Sequence, residues 1–145
     1  MDELKASLQV TLANAFFMAF KAHSYHWNVK GLQFSQYHDF FGEIYEDVDG
    51  SVDVFAERLR TIGQAAPVSV EELHGYKTFD EDTEVLDLVG MLTSLQEANN
   101  QVIDSLNNLF KKASAANEQG IADIAAGRID AHKKHGWMIK SSLGE

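Results

Sequence analysis

A chain of 145 residues, 45% apolar and without cysteine, suits one domain with its own core and excludes a disulfide framework or a thiolate metal site. Twelve basic residues against twenty-two acidic ones leave a formal charge of -10, a surface that repels nucleic acid and anionic lipid and attracts cations. No stretch is apolar enough to span a membrane and the acidic N-terminus has no signal-peptide pattern, so a cytoplasmic protein is expected. The single proline, Pro67, and the long runs free of helix breakers point to an all-helical fold.

The first helix is expected from Leu4 to about Val29. Its apolar residues Leu4, Leu8, Leu12, Phe16, Phe20, His23 and Trp27 recur at helical spacing, and Gly31 closes it. The second starts near Phe34 or Ser35 and ends at Gly63, with Phe41, Tyr45, Val48, Val52, Phe55, Leu59 and Ile62 stepping by three and four. Gly42 and Gly50 lie inside it, each costing about 1 kcal/mol relative to alanine. Residues 67–83 form a crossing connection with a short helix near Val70 to His74, capped by Ser69. The third long helix is expected from about Glu84 to Glu118, capped by Asp82 or Thr83. Its stripe is Val85, Leu88, Leu92, Leu95, Val102, Leu106 and Leu109. The fourth runs from Gln119 or Gly120 to Leu143, with Ile121, Ile124, Ile129, His132, Trp137 and Ile139 as its apolar face. Two helical hairpins joined by one long link make a four-helix bundle with one crossover, the ferritin-like arrangement.

Most histidines here have an ordinary reading. His23, His132 and His135 are assigned to packing or surface. Glu71–His74 contains a Glu-x-x-His pattern, but a site inside one bundle needs that pattern on two helices, and only one copy exists.

His26 and His38 differ by position. They flank Gly31 by five and seven residues, so a turn at residues 31–33 sets them at similar depths on facing helices. Two imidazoles side by side suit iron or zinc, and a centre that also holds Fe(III) needs carboxylates. Asp53 and Glu57, four apart, share one side of helix two. Asp53 lies fifteen residues beyond His38, roughly 22 Å along the helix, so one chain cannot join them on one metal. A two-fold axis near residues 45–46 pairs helix two antiparallel with its copy and sets His38 of one chain opposite Asp53 of the other. Each of two equivalent sites then takes His26 and His38 from one subunit and Asp53 and Glu57 from its partner. Gly42 and Gly50 flank that axis and permit close approach.

The stretch HWNVKGLQFSQYH (residues 26–38), followed by DVFAERLRTIG (residues 53–63), resembles the signature of the Dps family of mini-ferritins, the DNA-binding proteins from starved cells. ADIAAGRIDAHKKHGWM (residues 122–138) resembles that family's last helix, so the likeness spans nearly the whole chain. The resemblance implies a hollow homododecamer of four-helix bundles with ferroxidase sites at isologous dimer interfaces. It implies a ferric mineral stored inside and hydrogen peroxide as the usual oxidant, with dioxygen the other. By position the ligands are His26, His38, Asp53 and Glu57, with Trp27 beside the site; the metal is iron, and zinc is a substitute for it. Acids near the start of the last helix line the three-fold channel, Asp123 first and Asp130 second.

Two departures from the family stand out. Many relatives carry an acid one turn after the second histidine, where this chain has Gly42. Either Asp39, Glu43 or Glu46 substitutes through water, or the second metal binds weakly. Second, neither terminus carries a lysine-rich tail. Twelve chains together hold about -120 charges, so direct DNA binding is not expected. Two alternatives accompany the ferroxidase reading: a DNA-protecting protein with secondary iron oxidation, and a structural dodecamer with a degenerate metal site.

Overall fold

The computed structural model describes residues 1–145. Five helices follow one another: α1 (Asp2–Asn28), α2 (Phe34–Thr61), α3 (Val70–Tyr76), α4 (Leu88–Ala115) and α5 (Gln119–Ser142). The four long ones form two antiparallel hairpins, α1–α2 and α4–α5. Helix α1 packs along both α2 and α4, whereas α2 and α5 meet sparsely. The link from α2 to α4 carries α3, so the bundle has the single crossover that the sequence implies. No helix is long and apolar enough to cross a membrane.

The core is one cluster drawn from all four long helices. Leu8, Met18, Phe41, Phe55, Leu95, Leu106 and Ile139 are among its fully buried members. On α2 the expected stripe holds, with Phe41, Val48, Phe55 and Leu59 buried. On α1 it drifts. Leu4, Leu8 and Leu12 are buried, but further along the core row is Ala15, Met18, Ala19, Ala22 and Tyr25. Phe20 and Trp27 are more than half exposed. Spacings of three and four admit two neighbouring rows on a helix, and small alanines occupy the row facing α2 and α4 because the helices approach closely there. Trp137, expected on the apolar face of α5, is likewise exposed.

The crossover is tied to α1 by polar contacts. Asn14, fully buried, donates to Thr78 Oγ1 (2.9 Å) and accepts from the Thr78 backbone N–H (2.9 Å). Tyr25 Oη donates to Asp82 (2.5 Å), and the buried Lys21 ammonium lies 3.2 Å from the same carboxylate. Burial first and the Asp82 carboxylate second push the Tyr25 phenol above its ordinary range. Asp82 therefore anchors the crossover and does not cap α4. Asp87 takes that role, accepting from the Gly90 N–H (2.8 Å), so α4 starts at Leu88 instead of near Glu84. Ser69 caps α3 as expected, accepting from the Glu72 N–H. Asn117 takes a left-handed conformation (φ 59°) that ends α4 at Ala115, before the expected Glu118.

Candidate metal centre

Gly31, at φ 122°, adopts a backbone that L-residues rarely enter. The tight turn brings the end of α1 against the start of α2, and His26 and His38 meet there. Their rings stack with centroids 3.8 Å apart and planes 17° apart. His26 Nδ1 lies 2.6 Å from the backbone oxygen of His38, and His38 Nδ1 lies 2.7 Å from the backbone oxygen of His26. A carbonyl oxygen can only accept, so each Nδ1 must hold the proton. Each neutral ring therefore keeps its lone pair on Nε2, the nitrogen left without a partner. This is how a metal-binding imidazole is held in one tautomer and one orientation by its other nitrogen.

The carboxylates lie elsewhere. Asp53 and Glu57 are exposed, one turn apart on α2. Asp53 raises the Glu57 carboxyl above its ordinary range, by hydrogen bonding first and by repulsion second. Two acids that compete to stay ionised form a place where a cation relieves repulsion. Within one chain no group of three or more His, Asp or Glu side chains is placed to hold a metal. The fold thus joins His26 to His38 and Asp53 to Glu57, but does not join the two pairs to each other. Asp39, Glu43 and Glu46 point into solvent on α2.

Trp27, 56% exposed, leans on His23 at 4.1 Å and on Phe20 at 6.2 Å. His23 stacks on Tyr45 at 3.7 Å, so an aromatic layer backs the histidine pair. Asp123 and Asp130 are exposed on α5. Asp123 borders an open cleft between α2 and α5, together with Glu46, Asp47, Arg58 and Arg128.

Sequence reasoning missed a second histidine cluster, which ties α5 to Asn99 of α4 and to Asp47 of α2. Buried His132 donates from Nδ1 to Asn99 Oδ1 (2.8 Å), and Arg128 Nη2 donates to its Nε2 (3.1 Å). Arg128 also grips Asp47 with both Nη atoms, at 3.0 and 2.8 Å. His135 Nε2 lies 2.6 Å from the same carboxylate. Arg128 and then His135 hold Asp47 well below the usual carboxylate range, against the opposing effect of burial. Burial, then the Arg128 charge, pushes His132 down to about 3. A neutral His132 with both nitrogens engaged has no lone pair for a metal. The helical spacing of Arg128, His132 and His135 was the available signal, but Asp47, the partner of Arg128 and His135, lies eighty-one residues from Arg128.

A family model for the ferritin-like domain matches residues 5–145. The crystal structure of Dps from Staphylococcus aureus superposes with a TM-score of 0.93 at 26% identity, covering 99% of this chain and 96% of that one. The chain belongs to the ferritin-like family, in its Dps branch. Among curated relatives of this Dps chain is a low temperature-induced protein from a Nostoc strain, 31% identical over 94% of the chain and 77% of the relative. A Vibrio cholerae Dps structure, described as a member of a broad superfamily of ferritin-like diiron-carboxylate proteins, shares the fold. Its TM-score is 0.92 at 24% identity, over 98% of this chain and 89% of that one.

Proposed function

We propose that this protein is a ferroxidase and iron-storage mini-ferritin. Fe(II) is its substrate, and the stored product is a ferric mineral inside a homododecamer. The observation that carries the reading is the reciprocal clamp of His26 and His38. It leaves two Nε2 lone pairs free on adjacent rings, while a pair of mutually repelling carboxylates, Asp53 and Glu57, sits about 22 Å further along the same helix. An isologous dimer in which α2 pairs antiparallel with its copy brings one subunit's histidines to the partner's acids. Borderline imidazole donors suit Fe(II), and hard carboxylates favour Fe(III). The chain's own residues thus bind the metal, orient it and supply negative charge as oxidation proceeds.

Hydrogen peroxide is the favoured oxidant, with dioxygen the other. Two Fe(II) each give one electron, the O–O bond of one peroxide breaks, and two Fe(III) and two hydroxides result. Pairing the electrons avoids releasing hydroxyl radical. Acidic channels lined by Asp123 and Asp130 concentrate Fe(II) by electrostatic steering. Trp27 lies beside the site, and zinc occupies the same donors in place of iron. The protein works in the cytoplasm and does not bind DNA directly, because its net negative charge opposes phosphate.

Subunit mixing tests the shared site. Particles built only from His26→Ala/His38→Ala chains, or only from Asp53→Asn/Glu57→Gln chains, should assemble and lose fast peroxide-driven oxidation. Particles reassembled from an equal mixture should recover about a quarter of the wild-type sites, because half the dimers are mixed and each holds one intact site. No recovery in assembled mixtures would rule out a site built from two subunits.

A further inference from the structure

We propose that Gly42 is a positioning residue for His26: its missing side chain exposes the backbone oxygen that orients the imidazole, so an acid placed there disarms the histidine. The metal-binding consequence rests on the reading of His26 as a ligand; the packing consequence does not.

The hydrogen bond from His26 is unusual in its acceptor. His38 lies inside α2, where its carbonyl points along the helix toward the N–H of Gly42. A helical side chain leans toward the N-terminus and covers the turn before its own Cα. A side chain at position 42 would therefore cover the turn that holds the His38 oxygen. With glycine there, His26 lies across the bare backbone and reaches that oxygen at 2.6 Å. A Cβ built on Gly42 would stand 2.8 Å from His26 Nδ1 and 3.0 Å from Cε1. Real Cβ atoms essentially never approach so closely, and the contact is not with the loose end of a flexible chain. The ring is stacked on His38 on one side and bonded through the very nitrogen that would collide. Gly50, the other glycine within α2, meets nothing within 4 Å, so of the two only Gly42 is closely packed within the chain.

This changes the meaning of the family departure at this position. Glycine removes a carboxylate, and it also provides the surface on which His26 is set. Regaining the acid by one substitution adds a donor but displaces an existing one.

Metal-free crystal structures of the full-length protein and Gly42→Ala form the first arm of the test. The His26 ring should leave the His38 oxygen in the variant and keep it in the parent. Should Gly42→Ala fail to assemble, Gly42→Ala/His26→Ala should assemble, because the obstructing ring is gone; failure of both would overturn the proposal. The second arm is titration with cobalt(II) alone. Gly42→Asp should bind about tenfold more weakly than the parent, or worse, as when an orienting partner of a ligand is lost. Adding Gly42→Asp to His26→Ala should bring no further loss. A ring that stays bonded in Gly42→Ala, or cobalt binding by Gly42→Asp as tight as the parent's, would overturn the proposal. A parent that takes up cobalt independently of Asp53 and Glu57 would instead refute the shared-site reading, with the crystallographic arm still deciding the role of Gly42.

Discussion

Two regions of this molecule each hold a pair of histidines, and they differ in what the ring nitrogens do. At the α1–α2 turn, His26 and His38 spend their Nδ1 protons on backbone carbonyls and keep Nε2 free. On α5, His132 has both nitrogens engaged, with Asn99 of α4 and Arg128, and His135 directs Nε2 to Asp47 of α2. The first pair is oriented by main chain, which leaves its side-chain chemistry available. The second is held by side chains: His132 ties α5 to Asn99 of α4, while His135 joins Arg128 in reaching Asp47 across the sparse α2–α5 contact. Residue type is the same in both cases; what differs is what the ring nitrogens meet, backbone oxygens in the first pair and side chains in the second.

The largest effect separating the two regions should be on metal binding. His26→Ala/His38→Ala should weaken cobalt(II) binding by at least about a hundredfold, since it removes both proposed ligands where loss of a single orienting partner already costs 10–100-fold. His135→Asn should leave the affinity unchanged. Equal losses in both variants, measured by titration, would erase the distinction.

Next in size is stability. Arg128→Ala removes the grip on Asp47 and the donor to His132, and should destabilise the protein by about 2 kcal/mol, discounted for the partly exposed Asp47. Thermal unfolding reads this directly; an unchanged melting temperature would show that the network is incidental.

The smallest effect is on pH dependence. His132 is held at about 3 against an ordinary 6.5, so the unfolded chain binds a proton there that the native chain does not. Stability should therefore fall as pH drops through about 6.5 and continue falling toward about 3. Asp47, whose carboxyl is held low, adds a further loss below its ordinary 3.8. The two groups act in the same direction. His132→Gln should flatten the decline of melting temperature between pH 6.5 and pH 4.5, and an unaltered slope would assign the acid sensitivity to other groups.

Much of the fold was legible because periodicity in one helix reports burial in that helix. The α2 stripe and the Ser69 cap were read correctly from local pattern. The α4 cap was misplaced because Asp82 resembles a cap locally but is claimed by Tyr25 and Lys21 from across the bundle. Phe20, Trp27 and Trp137 were assigned to the apolar stripes, yet large apolar residues at helical spacing can also form a second, exposed row. Of the candidate site, the proximity of His26 to His38 followed from counting around Gly31. The separation of Asp53 from both followed from helical rise.

By itself, the sequence determined a ferritin-like bundle, its single crossover and the pairing of His26 with His38 and of Asp53 with Glu57, because helix length, turn chemistry and spacing are one-dimensional quantities. Only the tertiary structure decided which nitrogen each histidine ring engages and that the His26 ring lies against position 42. Those depend on a ring from α1 reaching a carbonyl inside α2, and a backbone oxygen carries no mark of its neighbours in the amino-acid sequence.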